Sequence, residues 1–321
     1  MSEKENGRVT VVDCSIRDGG LINKWQFDDE MARAVFKAIN ASGVDYMEIG
    51  YRASEKMFSP EEYGPWRFSK DEKILEIIGD EPLNTKLGVM VDIGRVEERD
   101  ILPTGESPLS FIRVATYLKD VKKAIALANL IADKGYEAFI NIMAISTVND
   151  FDLEAGLAEI EKHAPVTAVT VVDSYGSLDS DSTKHLVNVF KNTLDKKKVG
   201  FHGHNNMQLG FANTIDAIKA GASFCDATIT GIGRAAGNCP LELLLAHLDD
   251  PKFSIEPIIQ VIQDVFVDLR RKIEWGYLIP YMITGMLNEH PRVAIALRNS
   301  DEKDNYADFY RKLTTPECYS N

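Results

Sequence analysis

Ala168-Val169-Thr170-Val171-Val172 is followed by a segment of helical period from Ser180 to Leu194 and then by Val199-Gly200-Phe201-His202. The outer pieces are short, largely β-branched or aromatic runs, and the middle piece repeats its apolar residues every three or four positions. Together they read as one strand–helix–strand unit. The unit recurs in both directions. Upstream lie Val9-Thr10-Val11-Val12, Tyr46-Met47-Glu48-Ile49, Lys86-Leu87-Gly88-Val89-Met90, Phe111-Ile112-Arg113-Val114 and Ala138-Phe139-Ile140-Asn141-Ile142, and downstream lies Phe224-Cys225-Asp226-Ala227-Thr228-Ile229. Amphipathic segments fill most gaps: Asp28 to Asn40, Asp120 to Lys134, Leu153 to His163, Leu209 to Ala220 and Leu241 to Leu248. Gly43, Gly135 and Gly221 follow three of the helical segments as C-caps. The stretch Val96 to Ser110 has two prolines and little helical period, so its helix is expected to be short or missing.

Eight such units in about 240 residues fit a (β/α)8 TIM barrel better than an open doubly wound sheet. After Pro251 the strand signal stops, and Ile255 to Ile273 and Tyr277 to Arg311 read as helical, with breaks at Pro280 and Pro291. The expected organisation is a catalytic barrel over residues 8–250 and a helical extension over 251–321, which covers one barrel end or joins two copies in a homodimer.

The 321 residues are 45% hydrophobic and 26% charged, enough for a large core. A formal charge of −13 opposes nucleic acid and anionic lipid as partners. No uninterrupted apolar stretch approaches the roughly 20 residues needed to span a bilayer, and Met1 to Asn6 lacks the apolar run of a secretory signal, so a cytoplasmic location is expected. Cys14, Cys225, Cys239 and Cys318 form no Cys-x-x-Cys pair and read as reduced thiols.

In such a barrel, side chains at the carboxyl ends of the strands converge on one mouth. The seventh strand ends His202-Gly203-His204-Asn205-Asn206, and residues two apart on a strand share a face, so the imidazoles aim together as a nitrogen pair for a divalent metal; a polar loop with chance histidines is the alternative. The first strand ends Asp13-Cys14-Ser15-Ile16-Arg17-Asp18-Gly19-Gly20. Asp18 could complete a facial His-His-Asp set, or be an ordinary residue of a flexible turn. Arg17 reads either as a surface ion-pair partner or as a fixed cation beside an enolate oxygen. Gly231, Gly233 and Ala236 match Gly-x-Gly-x-x-Ala, but no strand follows, which argues against a dinucleotide site. Asn238 offers an amide oxygen to a metal or caps a helix. Ser174 is placed to donate to a substrate carboxylate or to lie in a solvated turn. Tyr51 and Arg52 precede a long loop, Phe58 to Phe68, that reads as a specificity lid or as rim packing.

Three motifs in order, Ile16-Arg17-Asp18-Gly19, His202-Gly203-His204-Asn205-Asn206 and Gly231-Ile232-Gly233 leading to Gly237-Asn238, resemble the DRE-TIM metallolyase superfamily, the HMG-CoA lyase-like enzymes. The resemblance is greatest to its 4-hydroxy-2-oxovalerate aldolase-like branch. It implies a divalent metal, Mn2+ or Mg2+ before Zn2+ or Fe2+, held by Asp18, His202 and His204 with Asn238 nearby. It further implies that Arg17 stabilises enolate charge and that Ser174 contacts the carboxylate of a small 2-oxo acid; Tyr51 and Arg52, from their place at the second strand end, are expected to contact the same substrate. One departure matters: Leu21 stands where aldolases of this kind carry a histidine acid/base. The expected reaction is carbon–carbon bond cleavage or formation through a pyruvate-type enolate. The alternatives are a Claisen-type condensation with an acyl-CoA, and a noncatalytic binding protein on the same barrel.

Overall fold

The structure, a computed structural model, describes residues 8–315; Cys318 lies outside them. Eight parallel strands close in sequence order into a barrel, β1-β2-β3-β4-β5-β6-β7-β8, the last pairing with the first. They are β1 Thr10–Asp13, β2 Tyr46–Tyr51, β3 Lys86–Asp92, β4 Phe111–Thr116, β5 Glu137–Ile142, β6 Val166–Asp173, β7 Lys198–Gly203 and β8 Phe224–Ala227. The barrel expectation is borne out. Its helices are α1 Ser15–Gly19, α2 Asp29–Ser42, α3 Asp71–Ile78, α4 Val121–Asp133, α5 Asp150–His163, α6 Ser180–Thr193, α7 Gly210–Ala220 and α8 Leu241–Leu248.

Local chemistry sets these bounds. Asp28, Asn149 and Asp179 cap α2, α5 and α6 by accepting from Met31, Asp152 and Ser182 amides. Gly43 and Gly221 end α2 and α7 in the left-handed conformation. Between β3 and β4 there are only two 3-10 turns, Glu98–Asp100 and Thr104–Glu106, as the prolines there demand.

Two sequence expectations need correction. The segment after β1, read as a flexible turn, is the buried helical turn α1, fixed by Asp18 N bonding Cys14 O at 2.8 Å and Trp25 Nε1 bonding Arg17 O at 2.8 Å. The eighth strand stops at Ala227, because Ile229–Gly231 tightens into a 3-10 turn with Thr230 at φ 55°.

The amino-terminal end of the barrel is filled by rings. Tyr46, Phe111, Phe139 and Phe224 meet edge-to-face or tilted with centroids 5.1–5.8 Å apart. Beyond the barrel, Glu256–Val261, a π-helical turn Ile262–Phe266 and Val267–Lys272 form one continuous helical rod. Its Ile258, Val261 and Phe266 join the core that includes Phe36 and Ile39 of α2. Helices Ile279–Met286, Arg292–Arg298 and Tyr306–Thr314 build a smaller apolar cluster, Tyr281, Ile283, Ala294 and Phe309, around Ala235 and Ala236 of the loop after β8. Among the described residues no helix is long and apolar enough to cross a membrane.

Candidate metal centre at the barrel mouth

Asp18 from α1 and His202 and His204 from β7 and its end come together at the carboxyl side of the barrel, each buried, with one ligand atom apiece all within 4.8 Å of one another. The imidazole centroids are 5.0 Å apart, as a shared strand face requires. Both rings present the same nitrogen. His202 Nδ1 lies 2.8 Å from Asp226 Oδ2, and His204 Nδ1 lies 3.3 Å from Gly237 O. A carboxylate and a carbonyl only accept, so both Nδ1 atoms carry hydrogen and both Nε2 lone pairs face the site.

Asp18 is held as a carboxylate. Burial alone would raise its pKa, but Arg17, His204, His202 and Arg234 together hold it well below the usual range. Its Oδ1 accepts from Arg17 Nη1 at 2.6 Å, and its Oδ2 accepts from Asn238 Nδ2 at 2.6 Å. That leaves Asn238 Oδ1 buried with no partner, an orphan acceptor on the same amide that donates to the carboxylate. Carboxylate, amide oxygen and two imidazole nitrogens are the donor chemistry of a divalent first-row or alkaline-earth cation, so the residues present fit such an ion.

Behind these groups runs a buried chain of charges. Arg17 Nε donates to Glu48 Oε2 at 2.7 Å, and Arg113 lies 3.4 Å from the same oxygen. Arg113 also donates from Nη2 to Asp226 Oδ2 at 2.7 Å and from Nε to Asn141 Oδ1 at 3.2 Å. Desolvation would raise Asp226, but Arg113 and His202 hold its pKa down at about 2. Glu48, Arg113 and Asp226 were not singled out in the sequence. Their signal was present nonetheless, a single charge inside each of three otherwise apolar strands.

The mouth opens into a cavity of about 50 Å³, room for a few waters or one small molecule. Arg17, Asp18, Leu21, Tyr51, Ser174, His202 and His204 line it, together with Asn141 and Arg234. Ser174 Oγ accepts from Ala144 N at 2.8 Å, so its hydroxyl hydrogen is free for the cavity. Tyr51 is packed edge-on to Trp25, with the Arg67 guanidinium 4.6 Å from its ring centre, and burial holds its hydroxyl protonated, well above the usual range.

Arg52 is elsewhere, which corrects its expected substrate role. Its guanidinium grips Asp71 through both nitrogens at 2.9 and 3.0 Å and donates to the carbonyls of Ser69 and Asp100. Successive strand residues point to opposite faces, so placing Tyr51 inward sends Arg52 outward. It lines a separate cleft of about 470 Å³ that brings none of the mouth residues into its wall. In the loop Phe58 to Phe68, Trp66 is fully buried and Arg67 sits over the rings of Trp25, Tyr51 and Phe58, so rim packing is the better account.

Residues 8–265 match the HMGL-like family along their whole length. The chain belongs to the HMGL-like family. The resemblance carried by the Arg17-Asp18, His202/His204 and Gly231–Asn238 motifs is thereby borne out. A relative, oxaloacetate decarboxylase of Mycobacterium tuberculosis, is 30% identical over 240 residues, covering 74% of this chain and 69% of that protein. A 4-hydroxy-2-oxovalerate aldolase of Thermus thermophilus is 29% identical over 253 residues, 79% of this chain and 72% of its own. Among solved structures, the N-terminal domain of a candidate aldolase from Bacteroides vulgatus superimposes with a TM-score of 0.76 at 30% identity, covering 93% of this chain and all 100% of that one.

Proposed function

We propose that the protein is a divalent-metal-dependent carbon–carbon lyase that forms the enolate of a 2-oxo acid at the barrel mouth. The observation that carries this reading is the convergence of Asp18, His202 and His204 within 4.8 Å, with Arg17 bonded to Asp18 at 2.6 Å. Asp18, the two Nε2 atoms and Asn238 Oδ1 would hold the ion. Mn2+ or Mg2+ is the proposed occupant and would supply Lewis acidity for enolate formation when bound. The relatives named above as a decarboxylase and an aldolase support the class.

This chain's residues divide the remaining work. Glu48 holds Arg17 by Nε and Asp18 holds it by Nη1, leaving Nη2 to face the oxygen on which enolate charge grows. Asp226 and Gly237 keep the protons on the far side of both imidazoles. Tyr51, held protonated, donates rather than accepts. Leu21, Met143 and Val172 give the wall an apolar stretch that limits water around the charge.

Two cleavages yield the same enolate. Opening a 4-hydroxy-2-oxo acid needs a base for the hydroxyl proton, whereas loss of CO2 from a 3-carboxyl needs none. Leu21 puts an alkyl group where the base is expected, and the titratable side chains lining the cavity are Arg17, Asp18, Tyr51, His202, His204 and Arg234, none placed as a free acceptor. Tyr175 and His290 pair at the rim with centroids 5.4 Å apart, and His290 Nδ1 already accepts from Arg292 N at 3.0 Å. Decarboxylation is therefore the favoured second half of the proposal.

The test is pyruvate C3 proton exchange in deuterated water with added Mn2+ or Mg2+, alongside CO2 release from oxaloacetate above the metal-only rate. Absence of exchange sinks the enolate reading. Release of free thiol from acetyl-CoA with a 2-oxo acid points instead to the condensing synthase, and purified protein without stoichiometric metal points to a binding protein. A cytoplasmic homodimer completes the proposal, checked by fractionation and light scattering.

A further inference from the structure

The four arginines buried around the barrel, Arg17, Arg52, Arg67 and Arg113, each have a carboxylate within 4 Å. Arg234, half-buried in the loop after β8, has none among the described residues, yet its guanidinium lines the cavity. Nη2 donates to Ser174 O at 2.7 Å and lies 3.4 Å from His204 Nε2, while Nε is buried with no partner. A guanidinium taken partly out of water without a counter-charge is costly, and its geometry is matched by a planar carboxylate that accepts two bonds at once.

The neighbours make the position specific. Ser174, whose backbone carbonyl accepts from this guanidinium, also lines the cavity, and its Oγ, which accepts from Ala144 N, keeps a hydroxyl hydrogen to donate. The backbone fixes the loop from both sides. Arg234 N donates to Asp18 Oδ2 at 3.3 Å, and Ala235 and Ala236 are buried against Tyr281 and Phe309 of the carboxyl-terminal helices. Asp18 is near enough for its charge to feel Arg234, but its Oδ1 is bonded to Arg17 and its Oδ2 to Asn238, and it makes no direct ion pair with the Arg234 guanidinium.

We propose that Arg234 joins the expected Ser174 contact to form a carboxylate clamp that takes the C1 carboxylate of the 2-oxo acid, making Arg234 a specificity-determining residue of the site. The inference rests on the 2-oxo acid reading above and adds an orientation to it. The clamped carboxylate is retained at the Arg234–Ser174 side, and the substrate's other end is left toward the apolar wall at Leu21, so the bond broken is the one beyond C3. The carboxyl-terminal helices contribute by packing on the loop that aims Arg234.

The experiment compares pyruvate with pyruvamide, which keeps the ketone and replaces the carboxylate by a neutral amide. Dissociation constants are read by calorimetry on the full chain with Mn2+, for wild type, Arg234→Met, Arg234→Lys and Ser174→Ala. The wild type is expected to prefer pyruvate, and Arg234→Met to shrink that preference by roughly 10- to 30-fold, with Arg234→Lys recovering part of it. Ser174→Ala is expected to reduce the preference less. In proton exchange, Arg234→Met is expected to raise KM more than it lowers kcat. An unchanged pyruvate-to-pyruvamide ratio in Arg234→Met, with the variant folded by circular dichroism, overturns the clamp. If wild type shows an Arg234-dependent preference but no proton exchange, the clamp stands and the lyase reading falls. Exchange without that preference has the opposite meaning.

Discussion

His202 and Asp226 are joined by a 2.8 Å bond between Nδ1 and Oδ2, and the same carboxylate oxygen accepts from Arg113 at 2.7 Å. A carboxylate whose pKa is held at about 2 stays an acceptor at every ordinary pH, so it dictates the tautomer of the ring it touches. Asp226→Asn offers an amide that can instead donate to Nδ1 and turn the proton toward the mouth. Mn2+ affinity is expected to fall about 10- to 100-fold, read by competitive titration. An unaltered affinity would remove Asp226 from the account.

Gly233 gives a sharper steric test. A Cβ there would overlap Asn238 Nδ2 and Asp18 Oδ2 directly, so Gly233→Ala must push the carboxylate or the amide aside. Bound metal per chain and pyruvate exchange should both drop by two orders of magnitude or so, because positioned ligands act as a unit. Full metal content in a folded Gly233→Ala protein would show that the ion does not depend on the Asp18–Asn238 arrangement.

Leu21 invites the reverse experiment, since it is 36% exposed and borders the cavity. Leu21→His places an acceptor at the mouth, and cleavage of a 4-hydroxy-2-oxo acid should rise by about 10-fold or more while pyruvate exchange changes little. No gain would mean that the hydroxyl proton already has another route.

Asp13 links pH to stability. Its carboxyl is fully buried, and desolvation outweighs its bonds from Ser15 to push it from 3.8 to about 7. The folded chain thus holds this proton more tightly than the unfolded chain does. Stability from this group is complete below about pH 4 and is lost as pH rises toward 7. Asp173, also raised to about 7 by burial, acts with the same sign. The urea midpoint should decline between pH 4.5 and 7.5, and Asp13→Asn should flatten that decline. Equal slopes in the two proteins would refute it.

The sequence made the barrel legible because strand and helix periods alternate cleanly, and it exposed His202 and His204 because a two-residue spacing on a strand forces a common face. Arg52 misled for the same reason in reverse, since its neighbour Tyr51 had taken the inward place. Glu48, Arg113 and Asp226 are less legible because they sit inside β2, β4 and β8, away from the strand ends whose side chains converge on the mouth. Arg234 was hidden differently. Nothing local says whether a loop arginine finds a carboxylate, and only the packing of distant helices on Ala235 and Ala236 decides where it points.

The plug of Tyr46, Phe111, Phe139 and Phe224 makes the barrel a room with one door. Reactant and product are then left the carboxyl side, where Leu21 and Arg234 line the cavity. Crowding at that threshold would then govern turnover more directly than any change at the opposite end.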